Sequence, residues 1–263
     1  MDGNQVRVAL AQIRATDDPE QNLSQVSTWT ARAAEQGAKI VVFPEATMVR
    51  FGANPRSAAE RWAERWVAEL PRIAREHDVL LAVGIFVPSE DGRVRNRVVV
   101  TDGAAVQSHY DKVHLFDAYS TKESDHTEPG EPYVHTEALS TRIGLATCYD
   151  VRFADQFTHL GREGCELVVL PTAWADGPRK AEQWNLLVRA RAMDAQAYVL
   201  GCDQAFDPEA KLSFGVGRSL VAGPLGEVVA EAGPDEELLL AELDLDLVGK
   251  VREQVPVLRA QRD

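Results

Sequence analysis

Residues 142–171 read RIGLATCYDVRFADQFTHLGREGCELVVLP. Two apolar runs, Arg142–Cys148 and Glu166–Leu170, flank a segment with helical spacing of its apolar residues through about Arg162. Short apolar runs of this kind are the mark of strands covered on both faces, so the unit reads strand, helix, strand, with Pro171 closing it. The same order stands near the N-terminus. Val6–Ile13 reads as a buried strand. Asp17, Asp18 and Pro19 then open a helix, since acidic residues and Pro suit a helix start. Leu23, Val26, Ala33 and Ala34 give that helix an apolar side, and Gly37 ends it. Lys39–Phe43 is a short strand running into Pro44–Glu45. A second helix follows, with Trp62, Trp66, Leu70 and Ile73 at helical spacing and read as core packing.

Between these units, Val79–Val87 reads as a strand, and Gly92 lies in the turn before a further strand, Arg93–Thr101. Asp102–Gly103 is a hairpin signal leading into Ala104–His109. The stretch from Asp111 to Pro132 is polar and irregular, and a loop that long in a compact domain is usually functional. After the opening segment come a helix over Ala181–Gln196, with Trp184, Leu187, Val188 and Met193 on or near one face, and strands at Tyr198–Cys202, Gly215–Ala222, Glu227–Glu231 and Leu238–Leu243. A short helix from about Leu245 and a polar tail close the chain. With no linker or repeat, residues 1–263 read as a single domain. Its two similar halves form one sandwich, helices outside and sheets inside.

A formal net charge of −13 argues against nucleic-acid or anionic-membrane partners, which need a basic face. No apolar run reaches the ~20 residues of a membrane span. The start, MDGNQVRVAL, has no basic segment followed by an apolar one, so no secretory leader is expected. Three cysteines, Cys148, Cys165 and Cys202, without framework spacing fit a reducing compartment, and the expected location is cytoplasmic. The six histidines have no metal-ligand spacing, so neither metal nor cofactor is expected.

Three reactive residues stand at strand ends. Glu45 follows KIVVFP, Lys112 follows the hairpin in YDKVHLFD, and Cys148 ends RIGLATC. Singly, each has an ordinary reading: a solvated acid, a surface lysine, a buried inert thiol. Jointly they form a chemistry. A carboxylate whose proton affinity is raised by burial can take the proton of a thiol. A lysine ammonium, with a backbone N–H, can stabilise the oxyanion formed when the sulfur attacks an amide carbonyl.

The segments FPEATM, DKVHLFD and TCYDVRFAD, in this order and spacing, resemble the three motif regions of the nitrilase superfamily, and the likeness runs along nearly the whole chain. The resemblance implies a four-layer αββα sandwich, which dimerises into αββα-αββα with the C-terminal tail, about residues 244–263, in the contact. It implies Cys148 as nucleophile, Glu45 as general base and Lys112 as oxyanion stabiliser. Glu123, seven residues before Gly130, takes the place of an assisting glutamate, with Glu128 read as a surface residue. The Tyr149 N–H would complete the oxyanion hole. His114 is read as packing or loop hydrogen bonding.

Within the superfamily the chain looks most like the omega-amidase and deaminated glutathione amidase branch, carried by CYDVRFAD, EQWNLLVRARAMDAQAYV, GRSLVAGPLGEVVAEAG and VREQVPVLRAQR. Such enzymes release ammonia from a small amide bearing a remote carboxylate, so a pocket cation is expected. Arg152, Arg179 and Lys180 are the candidates. Arg152 is read first as a structural partner of Asp150 or another acid. Two departures touch the pocket. Phe51 precedes Gly52 where the branch has Tyr, and Trp174 stands in PTAWADGP where it has PGAFN. The implied partner is a small-molecule amide substrate. The alternatives are a nitrilase, a carbamoylase, or a non-catalytic binding protein on this fold. Tyr149–Asp150 after the cysteine, where nitrilases often have Trp–Glu, favours amide over nitrile.

Overall fold

The computed structural model describes residues 4–104, 107–119, 121–210 and 213–260. In chain order the elements are β1 (Gln5–Gln12), α1 (Pro19–Glu35), β2 (Ile40–Val42), α2 (Pro55–His77), β3 (Leu80–Pro88), β4 (Val94–Thr101), β5 (Gln107–Asp111), β6 (Asp117–Ala118) and β7 (Thr121–Lys122). The second half holds β8 (Val134–Ala138), β9 (Thr141–Leu145), α3 (Ala154–Arg162), β10 (Leu167–Thr172), α4 (Lys180–Ala195), β11 (Tyr198–Asp203), β12 (Leu220–Ala222), β13 (Val228–Glu231), β14 (Glu237–Asp244), α5 (Asp246–Gln254) and α6 (Val257–Ala260).

Two six-stranded sheets form, ordered β14-β1-β2-β3-β4-β5 and β13-β12-β11-β10-β9-β8. Period-2 alternation sorts their side chains into three apolar layers. Ala9, Val41, Leu81 and Val83 turn outward against Leu23 and Val26 of α1 and Trp66, Leu70 and Ile73 of α2. Ile40, Val42, Leu80 and Val98 turn inward against Ile143, Leu145, Val169 and Leu200 of the other sheet. Val168, Leu170 and Val199 face Phe157 and Leu160 of α3 and Trp184 and Val188 of α4. The result is the expected αββα sandwich. Each large side chain fully buried in these layers contributes about 1.5–3 kcal/mol. The start of α1 is as the sequence predicts: Asp18 caps it through the Glu20 N–H at 2.9 Å with Pro19 at the first helical position. Asn54 caps α2 through the Ser57 N–H at 3.0 Å.

Strand direction gathers the site. β1, β2 and β3 are mutually parallel, β4 is antiparallel to β3, and β5 is antiparallel to β4. So β2 and β5 point the same way, and Glu45 and Lys112 leave the first sheet at one end. β9, β10 and β11 are parallel in the second sheet and deliver Cys148, Ala173 and Asp203 at their ends.

Several expectations need correction. β9 stops at Leu145, and Cys148–Arg152 is a turn of 3-10 helix with Cys148 at φ 45°. Pro171 lies inside β10, where it costs no ladder bond toward β9, whose pairing ends at Val169. β8 was not foreseen, because its sequence, VHTEA, is polar and only partly buried. The strand expected over Gly215–Ala222 is regular only at Leu220–Ala222. Met193 is exposed, and Trp184, Val188, Ala192 and Ala195 form the buried face of α4. The loop from Asp111 to Pro132 folds a small hairpin, β6-β7, and one 3-10 turn over Glu123–Asp125. Of the expected strand at Ala104–His109, Ala105 and Val106 lie outside the described residues, as do Gln261–Asp263 of the tail. α5 packs on its own chain, with Val248 in the inter-sheet layer and Arg252 donating to the carbonyls of Cys165 and Gln196. Among the described residues no helix is long and apolar enough to cross a membrane.

Candidate active site

Glu45 lies just beyond β2, completely buried. It can sit there because β3 passes close beneath it at Gly84, which has no side chain to collide with Pro44 and Glu45. Gln204 donates to the Glu45 carbonyl at 2.8 Å and fixes the backbone. The carboxylate is held at both oxygens. Oε1 accepts from Lys112 Nζ at 2.9 Å and Asn96 Nδ2 at 2.7 Å, and Oε2 accepts from the Ala173 N–H at 3.0 Å.

Lys112 is buried between two acids. Besides Glu45, its Nζ donates to Glu123 at 2.9 and 3.2 Å. Glu123 is anchored in turn by the Phe116 N–H at 2.7 Å and by Asn96 Nδ2 at 3.2 Å. Glu45, Lys112 and Glu123, remote in sequence, thus form one hydrogen-bonded cluster. Glu128 stays outside it, paired with Arg95 at 2.9 Å.

Cys148 faces this cluster from the second sheet. Its Sγ lies 3.8 Å from the Ala173 carbonyl oxygen, and the N–H of that same residue donates to Glu45 Oε2. The left-handed φ of 45° is held in place by Asp150, two residues on. One Asp150 oxygen accepts from the Thr147 N–H at 2.8 Å and the Tyr110 hydroxyl at 2.7 Å. The other meets the His114 N–H at 3.2 Å and His114 Nδ1 at 2.7 Å. His114 also stacks on Phe153 at 3.6 Å, so its part is the packing and loop bonding expected for it. The Tyr149 N–H falls in the first turn of the 3-10 helix, where backbone donors have no acceptor within the helix.

The electrostatics follow from burial. Desolvation raises the Glu45 carboxyl above its ordinary value; Lys112 opposes this, and Glu123 adds to it. Desolvation also raises the Cys148 thiol well above the usual thiol range, with the Glu45 charge adding to it and Lys112 opposing. For Lys112, burial alone would lower the ammonium, but Glu123 and Glu45 outweigh it and hold it well above the ordinary lysine value. The site therefore keeps one fixed cation beside an acid and a thiol that compete for a proton, which is the condition for general-base activation of sulfur.

One cavity of about 500 Å³ opens on these groups, lined by Glu45, Lys112, Glu123, Cys148 and Tyr149, and walled by Phe51, Phe116, Trp174 and Phe214. Phe51 packs on Phe86 and Phe214, with ring centroids 5.9 and 5.5 Å away. Trp174 is fixed by its N–H to Asp203 at 2.8 Å and its indole N–H to the Lys180 carbonyl at 3.0 Å. Of the three candidate cations, Lys180 lines the cavity. Arg179 is exposed and paired with Glu182. Arg152 does not pair with Asp150, whose oxygens are taken by four other groups. It donates to Gln183 at 3.0 Å and lies 4.8 Å from the Trp174 ring, correcting the ion pair expected for it. Among the described residues, no group of three or more His, Cys, Asp or Glu side chains is arranged to hold a metal ion.

Sequence reading missed Asn96, whose amide bridges both carboxylates. Its signal was the alternation in VRNRV: Val94, Asn96 and Val98 are buried while Arg95 and Arg97 are less so, putting one amide on an otherwise apolar face. The Ala173 backbone, which touches both Glu45 and Cys148, had no signal in residue type.

The carbon–nitrogen hydrolase family profile matches residues 7–253. A hydrolase of Mycobacterium tuberculosis is 43% identical over 269 residues, covering 98% of this chain and 96% of its own. The omega-amidase of Homo sapiens is 34% identical, covering 97% and 95%. Among solved structures, an amidase from Nesterenkonia sp. superposes with a TM-score of 0.80 at 28% identity, covering 98% of this chain and 97% of that one. A mutant of the amidase from Nesterenkonia sp. AN1, 27% identical with a TM-score of 0.79 over 96% of each chain, has been solved in complex with butyramide.

Proposed function

From the premise that this chain belongs to the carbon–nitrogen hydrolase family, and so is a hydrolase acting on C–N bonds, we propose that it is an amidase converting a small aliphatic primary amide to its acid and ammonia through a Cys148 thioester. The observation that carries this reading is the buried Glu45 carboxylate, hydrogen-bonded to the Lys112 ammonium at 2.9 Å and sharing the Ala173 backbone with the Cys148 thiol. Glu45 takes the thiol proton as the sulfur attacks the amide carbon. The oxyanion forms beside Lys112 and the Tyr149 N–H. An ammonium has three donors; two are directed at Glu45 and Glu123, which leaves one for this oxygen. As the C–N bond breaks, Glu45 passes its proton to the departing ammonia. Water, deprotonated by Glu45, then splits the thioester and returns the free thiol and a carboxylic acid. Glu123 and Asn96 hold Lys112 and Glu45 in register.

Similarity to an omega-amidase and to an amidase solved with butyramide supports short aliphatic amides, including omega-amido acids, as substrates. The apolar walls Phe51, Phe116 and Trp174 agree with a short alkyl chain. The reading extends to a homodimer acting in the cytoplasm. The test is an ammonia-release screen over 2-oxoglutaramate, succinamate, deaminated glutathione and butyramide, with a burst of one ammonia per Cys148. Equal release by wild type and Cys148→Ala from every amide would overturn it. A faster release from nitriles or N-carbamoyl amino acids would move the chain to the nitrilase or carbamoylase reading. No turnover with tight substrate binding would favour a binding protein.

A further inference from the structure

The cavity that holds Cys148 has two unlike walls. On the side of the β6-β7 hairpin the wall is polar, with Thr121, Lys122, Asp125 and His126. The other is apolar, formed by Phe51, Ala53, Pro55, Phe86 and Phe214, and only there does an alkyl chain gain from leaving water. Behind the apolar wall lies a second, smaller cavity of about 40 Å³. Phe51, Phe214 and Ala173 line both cavities. The Phe51 and Phe214 rings pack on each other, centroids 5.5 Å apart and planes tilted by 44°, so this pair is the partition. It stands close to the chemistry, because the Ala173 carbonyl oxygen is 3.8 Å from Cys148 Sγ. The far side is made of small buried side chains, Ala15, Ala46 and Ala205, and the charged Arg50 on that side is paired with Asp17 at 2.6 Å. The partition is also fixed. The Ser213 carbonyl accepts from the Asp176 N–H at 2.8 Å, and the Val216 N–H donates to the buried Asp203 at 2.9 Å. Between them Gly215 lies so near Gln204 that a Cβ there would collide with the Gln204 carbonyl. Phe51 is backed by the buried Phe86, with ring centroids 5.9 Å apart.

We propose that the Phe51–Phe214 pair is the specificity-determining wall of the acyl site, and that Phe214 sets the longest acyl chain accepted. An acyl chain on Cys148 runs along Ala173 toward the pair and ends against it. The small cavity behind is the room that a longer chain needs and does not reach. The inference deepens the amidase reading and rests on it for the identity of the scissile group. Phe214 cannot give way cheaply, since its backbone is held on both sides and its ring is braced by Phe51. Neither ring moves a proton or binds the oxyanion, so the pair bears on which amides fit and not on how they are cleaved.

The experiment measures kcat/KM for the straight-chain amides from acetamide to octanamide in wild type, Phe214→Ala, Phe51→Ala and Phe116→Ala. In wild type, kcat/KM rises by up to about fourfold per buried methylene until the chain meets the pair. It then falls by about 10-fold or more for the first amide that is too long. Phe214→Ala joins the two cavities. The break moves to a longer chain, and kcat/KM for the first amide that wild type rejects, relative to propionamide, rises by about 10-fold or more. A ratio of two substrates cancels any loss of folded enzyme. Phe51→Ala opens the same partition from the other sheet, shifts the break in the same direction, and decides the matter if Phe214→Ala does not fold. Phe116→Ala enlarges the cavity elsewhere and leaves the break in place. A break that stays put in folded Phe214→Ala or Phe51→Ala, or that moves equally in Phe116→Ala, overturns the proposal. Calorimetric titration of the same amides into Cys148→Ala, with and without Phe214→Ala, separates the two readings. If wild type hydrolyses no amide but the length limit for binding moves with Phe214, the wall stands and the amidase assignment falls. If amides turn over and the limit does not move, the wall falls and the amidase stands.

Discussion

Replacing Gly84 by alanine tests whether the position of Glu45, and not merely its presence, sets the rate. A Cβ at residue 84 would stand 2.6 Å from the Pro44 carbonyl oxygen, 2.7 Å from Glu45 Cα and 3.1 Å from the Ala46 nitrogen. Non-bonded carbons rest at about 3.5 Å or more, so the backbone carrying Glu45 must move by roughly 0.8 Å. All three neighbours are main chain, and no side chain can swing away to absorb the clash. Overpacking of this size costs about 1–3 kcal/mol, or about 2–10 °C in Tm for a chain of this length. A misplacement near 1 Å costs about 100-fold in rate, because Glu45 must meet the thiol, Lys112 and the Ala173 N–H at once. The assay is steady-state ammonia release at 25 °C, normalised to the ammonia burst so that only folded enzyme counts, with a thermal melt alongside. Gly161→Ala is the control. Its Cβ would collide with the Ala195 carbonyl oxygen, between α3 and α4 and away from the cavity, so it should lose stability without a comparable loss of turnover. Near-normal turnover in Gly84→Ala, or an equal loss in Gly161→Ala, would refute the reasoning.

Asn96→Leu removes the amide that spans both carboxylates while keeping the side-chain volume. Turnover should fall about 10- to 100-fold with the fold intact by circular dichroism, since a buried acceptor on each acid loses a donor. Asp150→Ala leaves the donors of Tyr110, Thr147 and His114 without an acceptor. A loss of about 1–3 kcal/mol or more in denaturant stability is expected, with slower thioester formation in single-turnover assays. The pH dependence of Cys148 alkylation has a definite sign: a neighbouring anion raises a thiol pKa, so Glu45→Gln should move the alkylation midpoint to lower pH even as it removes turnover. A midpoint that stays or rises would show that Glu45 does not act electrostatically on the sulfur.

The layers were readable in the sequence because burial on both faces leaves continuous apolar runs. Ile40–Val42 and Leu167–Leu170 announce strands wherever they sit in the chain. β8 failed that test for the same reason it lies at a sheet edge. Its residues are only partly covered, and Val134 is the single clear apolar anchor among VHTEA. Cys148 was placed at a strand end because its residue type suits a buried strand. The 3-10 turn that in fact carries it is set by Asp150, whose partners Tyr110 and His114 come from the other half of the chain.

The choice among cations shows where pattern stops being informative. Arg152, Arg179 and Lys180 are equivalent as letters, and all lie near Cys148 or the loop after β10. What separates them is which neighbours neutralise them. Arg179, the residue capping α4, finds Glu182 three residues on, a local match visible in principle from spacing. Arg152 was expected to find Asp150, but in a 3-10 turn that carboxylate points back toward its own cap, the Thr147 N–H, and is already saturated by donors from β5 and the loop beyond it. Arg152 is therefore diverted to Gln183 on α4, and its charge stays uncompensated beside Trp174. That displaced charge bears on Lys180, so the anchoring of the 3-10 turn that carries Cys148 and the electrostatics of the cavity are coupled through one residue. Placing a carboxylate at position 183 tests the coupling. Gln183→Glu would neutralise Arg152 at its 3.0 Å contact without altering a residue that lines the cavity. It should weaken succinate binding in calorimetry while leaving turnover of butyramide within about threefold, because the catalytic cluster has no contact with residue 183. Unchanged succinate affinity in Gln183→Glu would show that the two cations act independently.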